Sequence, residues 1–215
     1  MKQIQTIFFT SLLILLCGYS QTFALKVNIT EDIPYVDVDL DGENIRIQRI
    51  QDTDHKLTNN FTRTSRPTPP FDIQPFEPIK GVQTVTELDV IDFIKDQVSE
   101  NEGLLIDARM PKWYKDSTIP GALNVPFSIL LADKDDPFIE QVFSVFGAEK
   151  DDNGNWDFTD TQNLLIFSNG PWSAQGIEAI KNLIRLGYPK DKILYYRGGM
   201  QFWQIVGLTT IQPTE

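Results

Sequence analysis

Residues 164–188 read LLIFSNGPWSAQGIEAIKNLIRLGY, and this stretch decides the fold. An apolar run over 164–167 stops at the small polar loop SNGPWS, residues 168–173, and an amphipathic segment follows the loop. The segment places three isoleucines on one helical face: Ile177, Ile180 and Ile184. We therefore predict a strand, a loop and a helix over 174–186 that ends at a glycine. Such a unit typically presents one reactive atom or binds one anion, and Ser168 holds the reactive position at the strand end.

The chain repeats this alternation of strands and helices on both sides of that unit. Three further buried strands are predicted at 104–107, 122–126 and 193–196. Further helices are predicted behind a Thr86 cap, over 136–147, and around Trp203. Strands that alternate with helices indicate an α/β fold, with a parallel sheet covered by helices on both faces. Trp113 and Trp203 are expected in its core.

Two turn sequences outside this pattern each permit a second interpretation. Residues 33–50 alternate apolar and polar positions around Asp41-Gly42, which predicts a β-hairpin. Acidic residues precede this glycine with the spacing of a calcium loop, but Gln48 stands where such a loop needs glutamate. Residues 149–160 raise the same choice around Asn153-Gly154, and a turn is again the better interpretation.

Residues 67–78, PTPPFDIQPFEP, contain five prolines and cannot form a helix. We predict an extended segment that crosses the main domain and packs on it through three apolar side chains: Phe71, Ile73 and Phe76. Together with the hairpin, this segment forms an N-terminal extension over 25–81. The α/β domain follows over 82–215.

The first residues carry the features of a secretory signal. Lys2 precedes an apolar run over 7–16 that is too short to span a bilayer, and Thr22-Phe23-Ala24 offers small residues for cleavage. We expect a signal peptide over 1–24, a periplasmic or secreted mature protein, and no membrane insertion; an uncleaved anchor is the alternative. Cys17 is the only cysteine, so the mature chain would have no disulfide, thiolate metal site or cysteine persulfide.

The charge balance argues against polyanionic partners. The chain has 19 basic and 30 acidic residues and a net charge of −11, so it should repel nucleic acid and anionic membranes. His55 is the sole histidine and is expected at the surface. We expect neither a metal nor a cofactor.

Three stretches resemble the rhodanese family of sulfurtransferases in their order and spacing. LLIDARMPKWYKDSTIPGALNVP, residues 104–126, is similar to the family's first signature. Residues 164–188 resemble its active-site strand, loop and helix. ILYYRGGMQFWQIVGLTT, residues 193–210, is similar to its closing strand and helix. The resemblance implies a rhodanese-like α/β domain.

The resemblance also implies a chemistry that this chain has altered. In the family, a cysteine at the strand end carries a persulfide, which backbone N–H groups of the next loop and helix stabilise. Ser168 occupies that position here, and a serine hydroxyl cannot hold sulfane sulfur and needs a base to ionise. Thr118 stands where the family often has histidine. A secreted bacterial subset with a similar loop has cysteines that would fall at Ser173, Thr68 and Asp72, which suggests a cysteine-free relative or an engineered variant.

The candidate site is the loop itself, with two flanking residues. The loop comprises Ser168, Asn169, Gly170, Pro171, Trp172 and Ser173. Ser168 is interpreted as an anion contact or a polar filler rather than a nucleophile, and Ser173 as a helix N-cap. Trp172 is either a rim aromatic that grips a partner or a lid on the loop. Asp107 and Arg109 end a central strand beside the site, in a structural or a ligand role.

These expectations lead to one favoured function and two alternatives. We expect a non-catalytic rhodanese-like module that binds a protein partner or a small sulfur oxyanion through loop 168–173. The first alternative is a sulfurtransferase of the family, which moves thiosulfate or persulfide sulfur. The second is a structural accessory subunit of an envelope redox or sulfur-oxidising complex.

Overall fold

The computed structural model describes residues 27–134 and 136–213, so the expected signal peptide over 1–24 lies outside the described residues. The strands are β1 (Tyr35–Leu40), β2 (Glu43–Gln48), β3 (Gln83–Val85), β4 (Gly103–Asp107), β5 (Ala122–Asn124), β6 (Glu149–Lys150), β7 (Trp156–Asp157), β8 (Asn163–Phe167) and β9 (Ile193–Tyr196). The helices are α1 (Glu87–Phe93), α2 (Pro111–Asp116), α3 (Phe127–Leu130), α4 (Pro137–Val145), α5 (Gln175–Arg185) and α6 (Gly199–Ile205). A π-helical turn over Ile94–Val98 extends α1, and 3-10 turns span Asn60–Thr62 and Lys190–Lys192.

Five strands form a parallel sheet in the order β3-β9-β8-β4-β5, which confirms the predicted architecture. Phe167 of β8 lies level with Asp107 of β4 and with Tyr196 of β9. The carboxyl ends of the three central strands therefore meet at one edge of the sheet. Parallel α/β sheets bind ligands at this edge, because the loops that leave it are free to differ.

The sheet lies between two apolar layers, because successive strand side chains point to opposite faces. Ile106, Ile166 and Tyr195 belong to the layer that α3, α4 and α5 cover. Leu165 and Phe167 belong to the layer that α1 and α6 cover. The helices thus bury both faces, as the run of apolar residues in β8 requires.

The predicted hairpin and the predicted turn are both present. Strands β1 and β2 pair antiparallel, and Asp41 and Gly42 between them have φ values of 56° and 84°, as a tight hairpin turn needs. The first hairpin buries Val38 and Ile47 in the same layer as Trp203 of α6. Strands β6 and β7 also pair antiparallel, so the turn interpretation of residues 149–160 is confirmed.

Several local predictions are wrong. The short elements β3, α2 and α3 were not predicted, and the strand expected over 122–126 ends at Asn124, before a proline. Trp113 is half-buried on α2 rather than part of the core, whereas Trp203 is fully buried. No helix in the described parts of the chain is both long and apolar enough to cross a membrane.

The proline-rich segment does cross the domain, but two of its three expected anchors are wrong. Ile73 is 86% exposed and Phe76 is 59% exposed, and only Phe71 packs, with its ring edge against Trp172. The backbone of Gln74 supplies the missing attachment: its N–H donates to Pro171 O at 2.8 Å, and its carbonyl accepts from Arg197 Nη2 at 2.8 Å. Hydrogen bonds therefore fix the segment where hydrophobic packing was expected.

Candidate functional site

The loop over 168–173 leaves the carboxyl end of the central strand β8 and leads into α5. Ser168 follows Phe167 directly and is buried, with a relative exposure of 2%. A Cβ atom placed on Gly176 would lie 3.6 Å from Ser168 Oγ and 3.3 Å from the Tyr195 ring. Ser168 therefore faces the first turn of α5, where a glycine leaves room beside it.

The surroundings of Ser168 do not activate it as a nucleophile. Within residues 27–134 and 136–213, its hydroxyl makes no hydrogen bond to another side chain that could accept the proton. The sole histidine, His55, is exposed in the extension. A serine hydroxyl needs a neighbouring base to act as a nucleophile, and this site provides none.

Tyr195 is a second hydroxyl on this side of the sheet that the sequence did not single out. Its side chain is 1% exposed, and its hydroxyl oxygen is buried without a hydrogen-bond partner in the described structure. Burial raises the pKa of Tyr195 to about 12, although the positive charge of Arg197 lowers it in part. Tyr195 therefore remains a neutral phenol near neutral pH, with an O–H available to donate.

Helix α6 fixes the direction of the loop's peptide groups. The N–H groups of Met200 and Gln201 donate to Ser168 O at 3.1 Å and to Asn169 O at 2.9 Å. Because the C=O and N–H of one peptide group point in opposite directions, the N–H groups of Asn169 and Gly170 point away from α6. Neither N–H has an acceptor among the described residues. Two adjacent, unpaired donors of this kind form a concave site for an anion.

Gly199 makes this contact between the loop and α6 possible. A Cβ atom on Gly199 would lie 2.4 Å from Ser168 O and 2.8 Å from Gly170 N, which no real side chain tolerates. Its φ of 55° is also in the left-handed region, where glycine is favoured. Gly199, the second glycine of the Gly198-Gly199 pair, therefore serves close approach of two backbones.

The side chain of Asn169 is held inside the loop. Its Nδ2 donates to Gln175 Oε1 at 3.0 Å, while its Oδ1 is buried without a partner in the described structure. Ser173 is not the helix N-cap that the sequence predicted, because Ala174 holds that position. Instead, the Ser173 N–H donates to Gly170 O at 2.9 Å and closes a turn. The helix consequently begins one residue later than expected.

The extension covers Trp172, for which the sequence leaves a partner-gripping rim and a lid open, and this side chain is here called the lid. The Arg66 guanidinium carbon lies 3.7 Å from the centroid of the Trp172 ring, and Phe71 makes a T-shaped contact with this ring at a centroid distance of 5.5 Å. Trp172 Nε1 donates to Gln201 Oε1 at 2.8 Å. Trp172 is half-buried and is held on three sides. Sequence reasoning missed Arg66 and Gln201, because both are distant from the loop along the chain.

A cleft of about 260 Å³ opens between this lid and the start of α5. Its walls include Phe71 of the extension, Phe127 of α3, and three loop residues: Asn169, Trp172 and Ser173. Glu178 also lines the cleft, but its carboxylate pairs with Lys181 Nζ at 2.8 Å. The small, partly apolar cleft therefore reaches the loop at Asn169, Trp172 and Ser173, whereas Ser168 and Gly170 are not among its lining residues.

Asp107 and Arg109 form a buried ion pair instead of pointing into this cleft. Arg109 Nε donates to Asp107 Oδ1 at 2.8 Å, and Arg109 Nη2 donates to Asp107 Oδ2 and to Ser117 O at 2.5 and 2.6 Å. Thr118 Oγ1 donates to the same carboxylate at 2.8 Å. Asp107 is 0% exposed and Arg109 is 1% exposed. The pair therefore joins β4 to the segment before β5 at the same edge of the sheet as Ser168.

The described residues contain no group of three histidine, cysteine, aspartate or glutamate side chains that could hold a metal ion. The model of the rhodanese-like domain family matches residues 91–205. A search among curated proteins found no match.

Three solved structures that are similar to this chain are described here. The human single-domain sulfurtransferase TSTD1 is 25% identical, with 57% of this chain and 95% of that chain covered and a TM-score of 0.40. A thiosulfate sulfurtransferase from Pseudomonas aeruginosa is 16% identical, with 65% and 22% covered and a TM-score of 0.45. A rhodanese-related protein from Thermoplasma volcanium is 17% identical, with 61% and 99% covered and a TM-score of 0.41.

Proposed function

Because this chain belongs to the family of rhodanese-like domains, we propose that it is a non-catalytic member that binds a small anion through loop 168–173. The anion class we favour is a sulfur oxyanion, such as sulfate, sulfite or thiosulfate. The observation that carries the proposal is the pair of unpaired N–H groups of Asn169 and Gly170, which point away from α6 beside the first turn of α5.

The lack of a sulfur-transfer group supports the non-catalytic part of the proposal. By the resemblance of residues 164–188, Ser168 takes the place of the family's cysteine. Cys17 is the only cysteine in the chain and precedes the domain. A persulfide on cysteine therefore cannot form anywhere in residues 25–215, and Ser168 has no base to make it a nucleophile.

Two features around the loop support the anion. The first turn of α5, an 11-residue helix, leaves its own N-terminal N–H groups unpaired and adds the positive end of the helix dipole. The buried Tyr195 hydroxyl lacks a partner in the described structure, and the Tyr195 ring lies near the same glycine as Ser168. These groups together oppose the repulsion from the net charge of −11.

The cell envelope is the proposed location. The support is the short apolar run and the small-residue cleavage sequence before Leu25. In an oxidising envelope, a domain without cysteine would also be insensitive to oxidation at this loop.

Thermal denaturation with added anions tests the proposal. Sulfate at about ten times its dissociation constant should stabilise the fold by about 1.4 kcal/mol, or about 3–6 °C in Tm for a chain of this size. Sodium chloride at matched ionic strength is the control for screening. Ser168→Asp should abolish the shift, because a buried carboxylate would occupy and repel the site. Ser144→Asp is the matched variant, since Ser144 is exposed on α4, and it should keep the shift.

Transfer of sulfur from thiosulfate to cyanide separates the proposal from its enzymatic alternative. We expect thiocyanate formation at the rate of the reaction without protein. Turnover that survives repurification and is lost in Ser168→Ala would establish the sulfurtransferase instead. A Tm that sulfate, sulfite and thiosulfate leave unchanged would argue for the structural accessory subunit.

A further inference from the structure

A second open site shares Trp172 with the cleft at α5. This groove has a volume of about 590 Å³. Its lining includes residues of the extension, of the loop and of α6: Lys56, Phe61, Arg63, Ile73, Trp172 and Ile205. Gln201 holds the floor together, because its Nε2 donates to Phe61 O at 3.0 Å while its Oε1 accepts from Trp172 Nε1.

The groove is positively charged on a protein that is otherwise acidic. Lys56 and Arg63 line it, and none of its lining residues is acidic. Arg66 lies against Trp172 at its border and donates from Nη2 to Asn60 O at 2.8 Å. Across the described residues, none of these three cations forms an ion pair. With 30 acidic residues in the chain, three neighbouring cations without a carboxylate are a local exception.

Arg66 in particular has a hydrogen-bonding capacity that the described structure does not use. Its Nε atom is buried and has no partner. Burial and the nearby positive charge of Arg63 both lower the pKa of Arg66. Stacking on Trp172 fixes the plane of the guanidinium, and a fixed guanidinium binds a carboxylate with little loss of side-chain entropy. An incoming carboxylate would offset both the burial and the repulsion.

Exposed aliphatic side chains extend the groove beyond these charges. Ile73 is 86% exposed on the extension, and Ile205 is 56% exposed on α6. The two lie on opposite elements that line the same groove. Large aliphatic groups next to unpaired cations suit a ligand that carries both acidic and apolar side chains along an extended backbone.

We propose that this groove docks an extended segment of a partner protein in which acidic residues alternate with bulky apolar residues. Its carboxylates would pair with Arg63 and Arg66, and its apolar side chains would cover Ile73 and Ile205. The site goes beyond the binding of a small anion and does not depend on it, because its cations lie outside loop 168–173. Trp172 is the wall that the two sites share.

Fluorescence anisotropy with a designed probe tests the proposal. The probe is a fluorescein-labelled ten-residue peptide that alternates glutamate with leucine and phenylalanine. The matched peptide carries glutamine at every glutamate. The acidic peptide should bind saturably and at least about tenfold more tightly than the glutamine peptide, with an affinity that falls as salt rises.

Variants on the groove and away from it locate the binding. Arg63→Gln and Ile73→Ser should each weaken the peptide about tenfold or more. Both side chains are exposed, so these variants should fold normally. Arg185→Gln is the matched control, because Arg185 is an exposed arginine at the far end of α5, paired with Asp133 at 2.9 Å, and it should leave binding unchanged.

Three results would overturn the proposal: no saturable binding of the acidic peptide, equal affinity for both peptides, or an equal loss of peptide affinity in Arg185→Gln and Arg63→Gln. Self-association of the chain that the acidic peptide cannot displace would also overturn it, in favour of a second copy as the occupant. The sulfate shift in Tm should persist in Arg63→Gln. Failure of this proposal is therefore distinguishable from failure of anion binding in the loop.

Discussion

Replacement of Asp107 by asparagine should destabilise the protein strongly, because it removes the charge that balances a buried arginine. Asp107 accepts hydrogen bonds from the Arg109 backbone and guanidinium and from Thr118, all between 2.5 and 3.0 Å. In Asp107→Asn, an amide would face these donors while Arg109, at 1% exposure, kept its charge. Loss of one partner from such a pair costs about 3–5 kcal/mol, or about 6–20 °C in Tm for a chain of this size.

Urea denaturation followed by tryptophan fluorescence measures this change. The matched control is Asp37→Asn, because Asp37 forms the same kind of pair with Arg46 at 2.7 Å but at the surface, so the free energy of unfolding should change little. In the double variant Asp107→Leu/Arg109→Met, the free energy of unfolding should fall by less than the sum of its decreases in Asp107→Leu alone and in Arg109→Met alone. If Asp107→Asn kept its stability and lost only the sulfate shift, the pair would be a ligand group and the structural interpretation would be wrong.

Three further variants or measurements test separate parts of the account. In Ser168→Cys, the loop N–H groups should hold the pKa of the new thiol below the reference of about 8.5 despite the burial of that thiol. The rate of iodoacetamide alkylation as a function of pH measures this pKa. A pKa at or above the reference would show that the loop does not stabilise an anion. Gly199→Ala should unfold at lower urea and lose the sulfate shift, because its Cβ would meet Ser168 O. Gly154→Ala is the control, because Gly154 also has a positive φ but has open space around it, and it should lower stability less than Gly199→Ala does. Equal losses of stability in the two variants would show that the close backbone contact at Gly199 does not contribute. The mature protein from the envelope should begin at Leu25 by intact-mass measurement, and a mass that includes residues 1–24 would instead indicate an anchor.

The strand, loop and helix around Ser168 could be predicted because their signals are local. Residues 164–167 are continuously apolar, and the isoleucines of α5 repeat with the helical period. By contrast, β3 has only three residues and exists because it pairs with β9 at the edge of the sheet. No window of three residues distinguishes such a strand from a loop.

The contacts that shape the site could not be predicted, because they join residues distant in the sequence. Arg66 reaches Trp172, and Gln201 links Trp172 to Phe61, and nothing in the local pattern of either residue indicates its partner. Ser173 was given the cap position on residue type alone. The turn closed by its own N–H moves the helix start to the next residue.

The extension shows a further limit of pattern reasoning. Hydrophobicity predicted that Ile73 packs the segment onto the domain, although it is 86% exposed. The attachment instead depends on the backbone of Gln74, and backbone hydrogen bonds of an irregular segment leave no mark in composition. The exposed Ile73, in a segment that is otherwise firmly attached, is one of the residues that line the proposed docking groove.

A crystal structure with bound selenate tests the central claim most directly, because the anomalous signal of selenium locates the anion without ambiguity. We expect one strong peak beside Ser168, from a selenate whose oxygens lie about 2.8–3.0 Å from the N atoms of Asn169 and Gly170. The peak should be absent in Ser168→Asp crystals grown in the same solution. A loop with no selenate, and with both N–H groups bonded to protein carbonyls, would contradict the claim that loop 168–173 is an anion site.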